Sequence, residues 1–171
     1  MTHQVALLRG VNLGGRKLVM SELRAACEGA GFTDVETLIA SGNLVLSSKL
    51  SDAKLEAKLE KVILEELGLK TDVYVRTGAE LDAIIAANPF NAFAKKDPSH
   101  LMVFFMRALP SPAEMAALAA TAQSERWQLG KNCLYITYPN AVAGTKLKLP
   151  KLGTARNWNT VNKLAAMARG E

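Results

Sequence analysis

The order in which apolar runs and turn residues follow one another constrains this chain more than any single residue does. Gln4 to Arg9 is a short apolar run stopped by Gly10, a strand entering the glycine-rich stretch Gly10-Val11-Asn12-Leu13-Gly14-Gly15. Ser21 is placed to cap a helix running through Ala30, which Gly29 and Gly31 close, and Val35 to Ala40 resumes strand character. Ser41-Gly42-Asn43 is a tight turn into Leu44-Val45-Leu46, so these two runs make a hairpin. Ser51 then precedes Leu55, Leu59, Val62, Ile63 and Leu67 on one helical face, ended by Gly68, and Asp72 to Thr77 is another strand. The first 77 residues therefore read βαββαβ, the order of a ferredoxin-like sandwich, in which two helices cover one face of a four-stranded antiparallel sheet.

A further helix, Glu80 to Ala87, ends at Asn88-Pro89, and residues 88–100 form a connection long enough to mark a subdomain boundary. A second cycle follows. Leu101 to Arg107 is a strand, Ser111-Pro112 starts a helix through Thr121, and Arg126 to Leu129 pairs with Cys133 to Tyr138 around Gly130-Lys131-Asn132. Thr145 to Leu152 is too short and too interrupted by proline for a long helix. The last helix carries Trp158, Val161, Leu164, Ala165 and Ala168 as an apolar stripe, which assigns Trp158 to the core. The expected fold is α+β, with two tandem ferredoxin-like (βαββαβ) subdomains of mainly antiparallel sheets with helices packed on them. Residues 1–87 hold the first subdomain and a trailing helix, 88–100 the connection, and 101–171 the second subdomain, which ends in a helix. Arg9 and Arg107 both close first strands, and both hairpin tips contain Gly and Asn, a pattern of duplication in order rather than in sequence.

Composition excludes several classes of function. At 49% hydrophobic and 22% charged over 171 residues, the chain is long enough for a buried core, and no apolar run approaches the roughly 18 residues of a membrane span. The start lacks the charged and apolar regions of a signal peptide, so the expected compartment is the cytoplasm, with no membrane partner. Cys27, Cys133, His3 and His100 match no metal-ligand spacing, so no metal and no cofactor is expected, and both cysteines read as small buried hydrophobes. The net charge of +5 lies wholly in the tail: residues 143–171 carry six bases against one acid, whereas residues 1–142 are balanced at 15 of each. Lys146, Lys148, Lys151, Arg156, Lys163 and Arg169 are thus candidates for a basic patch.

Three segments carry candidate chemistry. Gly10 to Lys17 approaches the phosphate-loop pattern GxxxxGK[ST], but Arg stands at 16 and Lys at 17, so the hydroxyl that would hold magnesium is missing and a nucleotide triphosphatase of this kind is disfavoured. What survives is a cradle of backbone N–H groups flanked by Arg9, Arg16 and Lys17, set against the simpler reading that Gly14 or Gly15 only supplies a positive φ. In a ferredoxin-like sheet the first two strands run parallel with the third between them, so Arg9 and Ser41-Gly42-Asn43 meet at one end of the sheet, with Asn12 beside them. Around the start of the last helix, Thr154 or Asn157 serves as a cap, and Arg156 adds a bidentate donor suited to an anion. Nucleophilic catalysis has no GxSxG and no cysteine with a neighbouring base. The first and third strands lack the aromatics on which RNA would stack.

Ala6-Leu7-Leu8-Arg9-Gly10-Val11-Asn12-Leu13-Gly14-Gly15, then Ser41-Gly42-Asn43, then Arg156-Asn157-Trp158-Asn159-Thr160, resemble in order the motifs of the bacterial domain-of-unknown-function family 1697. The resemblance spans nearly the whole chain. It implies an α+β protein of two ferredoxin-like subdomains and no established activity, substrate or cofactor. Sequences of that family carry a longer helical segment after the Tyr-Pro-Asn turn, where this chain has Tyr138-Pro139-Asn140 and a short Lys/Leu/Pro stretch.

The leading expectation is a binding protein for a small anionic ligand bearing phosphate or carboxylate. Its residues are Arg9, Asn12, Gly14, Gly15, Lys17, Ser41, Asn43, Arg156, Asn157 and Thr160. The alternatives are an enzyme acting on such a ligand, and a nucleic-acid or protein adaptor using the basic tail. Nucleic acid is the less favoured partner, and the oligomeric state is not legible.

Overall fold

The computed structural model describes residues 2–10, 17–38 and 42–171. Two four-stranded antiparallel sheets and six α-helices are present among them. The chain divides into two compact units, residues 1–82 with 163–171, and residues 83–162, and it passes between them within two of its helices.

In the first unit the sheet is built from β1 (Thr2–Leu8), β2 (Thr33–Leu38), β3 (Asn43–Ser48) and β4 (Val73–Thr77), in the order β2-β3-β1-β4. Helices α1 (Met20–Gly29) and α2 (Asp52–Leu67) connect β1 to β2 and β3 to β4, which completes the βαββαβ order. Side chains alternate across a strand, so Ala6, Leu8, Leu44, Leu46, Val73 and Val75 share one face, where they pack with Leu23 and Cys27 of α1 and Leu55, Leu59 and Ile63 of α2. Each fully buried leucine there is worth roughly 1.5–3 kcal/mol of transfer free energy. The other face of the sheet carries Val5, Leu7, Val45 and Tyr74, also buried.

Local signals explain the helix ends. The Ser51 hydroxyl accepts the Lys54 N–H at the start of α2, and Gly68, at φ 65°, takes the left-handed conformation that stops it. α1 departs from expectation: Val19 is its N-cap with no side-chain bond, and Ser21 lies inside the first turn. Leu18 and Met20 pack against the core, and that anchoring starts the helix before a serine hydroxyl could cap it.

β4 is an edge strand, and among the described residues its outward-facing N–H groups have no strand to pair with. Carboxylates take them instead. Val73 N–H donates to Glu60 (2.9 Å), Val75 N–H to Glu56 (2.9 Å) and Thr77 N–H to Glu80 (3.3 Å). Glu80 also receives its own helix start: the Glu80 N–H donates to the Thr77 hydroxyl at 3.1 Å, so α3 (Gly78–Ala86) begins on a reciprocal cap two residues before the expected Glu80.

The second unit repeats the sheet order. β5 (Leu101–Phe105), β6 (Arg126–Leu129), β7 (Cys133–Thr137) and β8 (Thr154–Asn157) stand as β6-β7-β5-β8, each pair antiparallel. The β6–β7 hairpin turns through Asn132 at φ 56°. Phe104, Met106, Leu134, Ile136 and Tyr138 form the core face with Leu118 of α5 (Pro112–Thr121) and Leu147. The crossover from β7 to β8 holds no helix where the first unit has α2, and Leu147 fills in from the loop. That loop is fastened to α5 at two places, by Lys151 N–H on the Glu114 carboxylate (2.7 Å) and Lys148 N–H on the Thr121 hydroxyl (2.8 Å).

Three further differences from the sequence reading have physical causes. The stretch 88–100 carries a short helix, α4 (Asn91–Lys96), and a 3-10 turn, Pro98–His100, because Asn88 and Asn91 bond each other and the adjoining backbone and turn the chain locally. β8 was hidden in what read as a helix start, since four mostly polar residues show no apolar run and are recruited by backbone pairing with β5. Trp158, at the first position of α6 (Trp158–Ala168), is half-buried, while Val161, Leu164, Ala165 and Ala168 are buried along the helix.

Candidate functional site

The end of β1 is where the chemistry expected from sequence meets the surface. β3 lies between β1 and β2 and is antiparallel to both, so β1 and β2 run parallel and finish together. The Leu8 N–H donates to the Gly42 carbonyl (2.9 Å), which fixes the end of β1 beside the β2–β3 turn. Gly10, just past the end of β1, has φ 66°, a conformation that favours glycine.

A cleft of about 430 Å³ opens here, lined by Arg9, Gly10, Lys70, Thr71 and Asp72. Lys70, Thr71 and Asp72 belong to the segment that leads into β4, the other neighbour of β1. The Arg9 N–H donates to the Asp72 carbonyl (3.0 Å), the Thr71 hydroxyl donates to the Arg9 carbonyl (2.6 Å), and an Arg9 guanidinium nitrogen stands 3.2 Å from an Asp72 carboxylate oxygen. Backbone and side chain of Arg9 are thereby held by the same two residues. The Arg9 and Asp72 side chains remain 40% and 44% exposed, which leaves the pair within reach of a solute. Among the described residues, the two cations and one carboxylate of the lining give it a positive balance.

The remaining expected residues fall differently. Asn12, Gly14, Gly15 and Ser41 lie outside the described residues. Lys17 is exposed. Asn43 is fully buried and its amide donates to the Leu38 carbonyl (2.9 Å), closing the β2–β3 turn from inside. Asn157 caps α6, its side-chain oxygen accepting the Thr160 N–H at 2.9 Å. Lys70, Thr71 and Asp72 carried no sequence signal of their own. The antiparallel β1–β4 pairing brings them to Arg9 across some sixty positions of chain.

Arg156 is not at the surface: it is 6% exposed in β8, and its guanidinium donates to the Thr154 hydroxyl (2.7 Å) and the Ala155 carbonyl (2.9 Å). Burial pulls it below the ordinary guanidinium value, to about 10, so it stays charged at neutral pH. Arg76 of β4 is its counterpart in the first unit. It is also 6% exposed, it also donates to the carbonyl of the preceding residue (2.8 Å), and it faces Val5 as Arg156 faces Val103. The same device in the same register of both sheets supports a structural role. Of the other tail bases, Arg169 is engaged by Asp82 (2.6 Å) and Glu171, whereas Lys146, Lys148, Lys151 and Lys163 are exposed.

Cys27 and Cys133 are fully buried, and burial, with Glu28 adding to it, pushes the Cys27 thiol up to about 11. Among the described residues no group of three or more His, Cys, Asp or Glu is arranged to hold a metal, and no helix is long and apolar enough to cross a membrane.

Comparison with known proteins adds the following. A solved structure of the conserved bacterial protein SP0830 from Streptococcus pneumoniae is similar over 98% of both chains, with a TM-score of 0.80 and 26% sequence identity. No curated protein matches the sequence. The model of the family described as protein of unknown function (DUF1697) matches residues 1–135, and the chain belongs to that family.

Proposed function

We propose that this protein binds a small anion, a phosphate or carboxylate group on a soluble ligand, in the cleft at the end of β1. The supporting observation is the convergence of Arg9 and Lys70 at a cleft of about 430 Å³ where a strand ends and a positive-φ glycine begins. Arginine offers a planar fork for two oxygens of such a group, and lysine adds a point charge. Asp72 and Thr71 hold Arg9 in place, which lowers the entropy lost when a ligand is clasped. The site is narrower than the one expected from sequence: it rests on Arg9 with Lys70, Thr71 and Asp72, just before β4, and gives Arg156 no part.

A thermal-shift series at low salt with inorganic phosphate, sulfate, citrate and sugar phosphates tests it. A ligand that binds only the native state raises the melting temperature in proportion to the logarithm of its concentration. The reading requires a saturable shift with at least one of these, lost in Arg9→Ala and reduced in Lys70→Ala. Equal shifts in the parent and both variants would sink it.

A further inference from the structure

A second cleft, of about 290 Å³, lies wholly within the second unit, between α4 and the outer end of the β6–β7 pair. Its lining combines ring-bearing residues, Pro89, Phe90, Phe93 and Pro139, with the polar Asn91, Ser124, Arg126 and Thr137. Phe90 and Phe93 are only half-buried, although aromatic rings of this size usually find cover. Arg126 is exposed, and its guanidinium makes no hydrogen bond or ion pair among the described residues; its backbone N–H donates to the Thr137 hydroxyl at 3.2 Å. The nearest acid in sequence does not neutralise it. The Glu125 oxygens are engaged elsewhere, accepting the Gln123 N–H (2.8 Å) and the Thr145 hydroxyl (3.0 Å). Lys95 and Lys96, exposed at the end of α4, add to the positive field.

Ring-bearing residues beside an unengaged guanidinium define a ligand class. We propose that this cleft is a distinct site for a small planar organic anion, its ring held between Phe90, Phe93 and the two prolines and its acid group on Arg126. The volume falls just under the range of about 300–1,000 Å³ that holds drug-sized ligands, so one ring or ring system with its acid group fits better than a dinucleotide. Stacking and charge act together here: neither a neutral ring nor a bare anion uses both halves of the site. Aromatic carboxylates and nucleoside monophosphates share this chemistry and are separated by direct comparison.

The test is calorimetric titration and ligand-observed NMR on the full chain with benzoate, 1-naphthoate and adenosine monophosphate, using benzyl alcohol and acetate as the half-ligands. The expected result is saturable binding of at least one ring-bearing acid, tenfold or more tighter than either half-ligand. It should weaken tenfold or more in Arg126→Ala and in Phe90→Ala and stay unchanged in Arg9→Ala. That last arm separates this site from the β1 cleft. No saturable binding by any ring-bearing acid, acetate binding as well as benzoate, or binding indifferent to both Arg126→Ala and Phe90→Ala would overturn the proposal. Arg126 and Phe90 are not core residues, and circular dichroism of each variant confirms that a loss of binding is not a loss of fold.

Discussion

The Glu56 carboxylate, on a helix face, accepts the N–H of Val75 at 2.9 Å, and both residues are buried. With Glu60 on Val73 and Glu80 on Thr77, every second residue of β4 has its outward donor satisfied by an acid. An edge strand otherwise offers those groups to another chain, so the glutamates both stabilise the sheet and end it. Removing Glu56 leaves the Val75 N–H buried without an acceptor, which costs about 1–3 kcal/mol. Glu56→Ala should therefore lower stability by about 2 kcal/mol in urea unfolding, with Glu56→Gln, which keeps an acceptor oxygen, costing less. Glu66→Ala, on the exposed side of α2, is the control, and equal effects from Glu56→Ala and Glu66→Ala would refute the role of Glu56.

Much of the fold was legible because it depends on local signals. Ser51 and Gly68 bound α2 where their chemistry predicts, and Asn132 turns the second hairpin. What could not be read is set by pairing at a distance. β8 is a strand only because β5 offers it a ladder, and nothing in the sequence around Glu56 marks it as the acceptor for β4. The cleft divides in the same way. Arg9 stands out at a strand end, but Lys70, Thr71 and Asp72 become its neighbours only through the register of β1 on β4.

Gly153 precedes β8 and is a site of close approach. A Cβ built there would stand 2.3 Å from the Phe104 ring and 2.7 Å from the Phe105 carbonyl oxygen, and the second of these is backbone that cannot swing aside. Gly153→Ala should cost about 1–3 kcal/mol or more, through displacement of β8 from β5. Gly144→Ala is strained by its φ of 81° but meets nothing within 4 Å, so it should cost less. The relevant measurement is the urea midpoint of both variants, and the reverse order would refute the packing argument.

The buried Cys27 thiol links stability to alkaline pH. Its folded value, about 11, lies above its ordinary 9.0, so the native state keeps the proton that the unfolded chain gives up. The resulting stability is fully present below pH 9 and is lost as pH rises toward 11, about 2–3 kcal/mol in all. Burial pushes Tyr138 up to about 12 and raises Tyr135 too, which extends the same trend upward. Unfolding midpoints should fall between pH 9 and 11, and Cys27→Ala should flatten that fall. A thiol reagent at pH 7.5 should label neither cysteine until denaturant is added. Rapid labelling of the native protein would show that the thiol is neither covered nor held neutral.

Asp72 gives the β1 cleft its sharpest test, because it opposes the ligand while placing the residue that binds it. Its carboxylate, 3.2 Å from the Arg9 guanidinium, offsets part of the positive potential any anion would meet. Asp72→Asn keeps an oxygen that can accept from Arg9 and removes the charge, so affinity for the anion identified in the thermal-shift series should rise several-fold. Asp72→Ala also removes the charge but lets the arginine swing, and should gain less or lose. Both effects should shrink as salt rises from 20 to 200 mM, where the Debye length falls below about 10 Å. If Asp72→Asn instead weakens binding as much as Arg9→Ala does, the carboxylate is itself a ligand contact, and the bound group carries a positive charge beside its negative one.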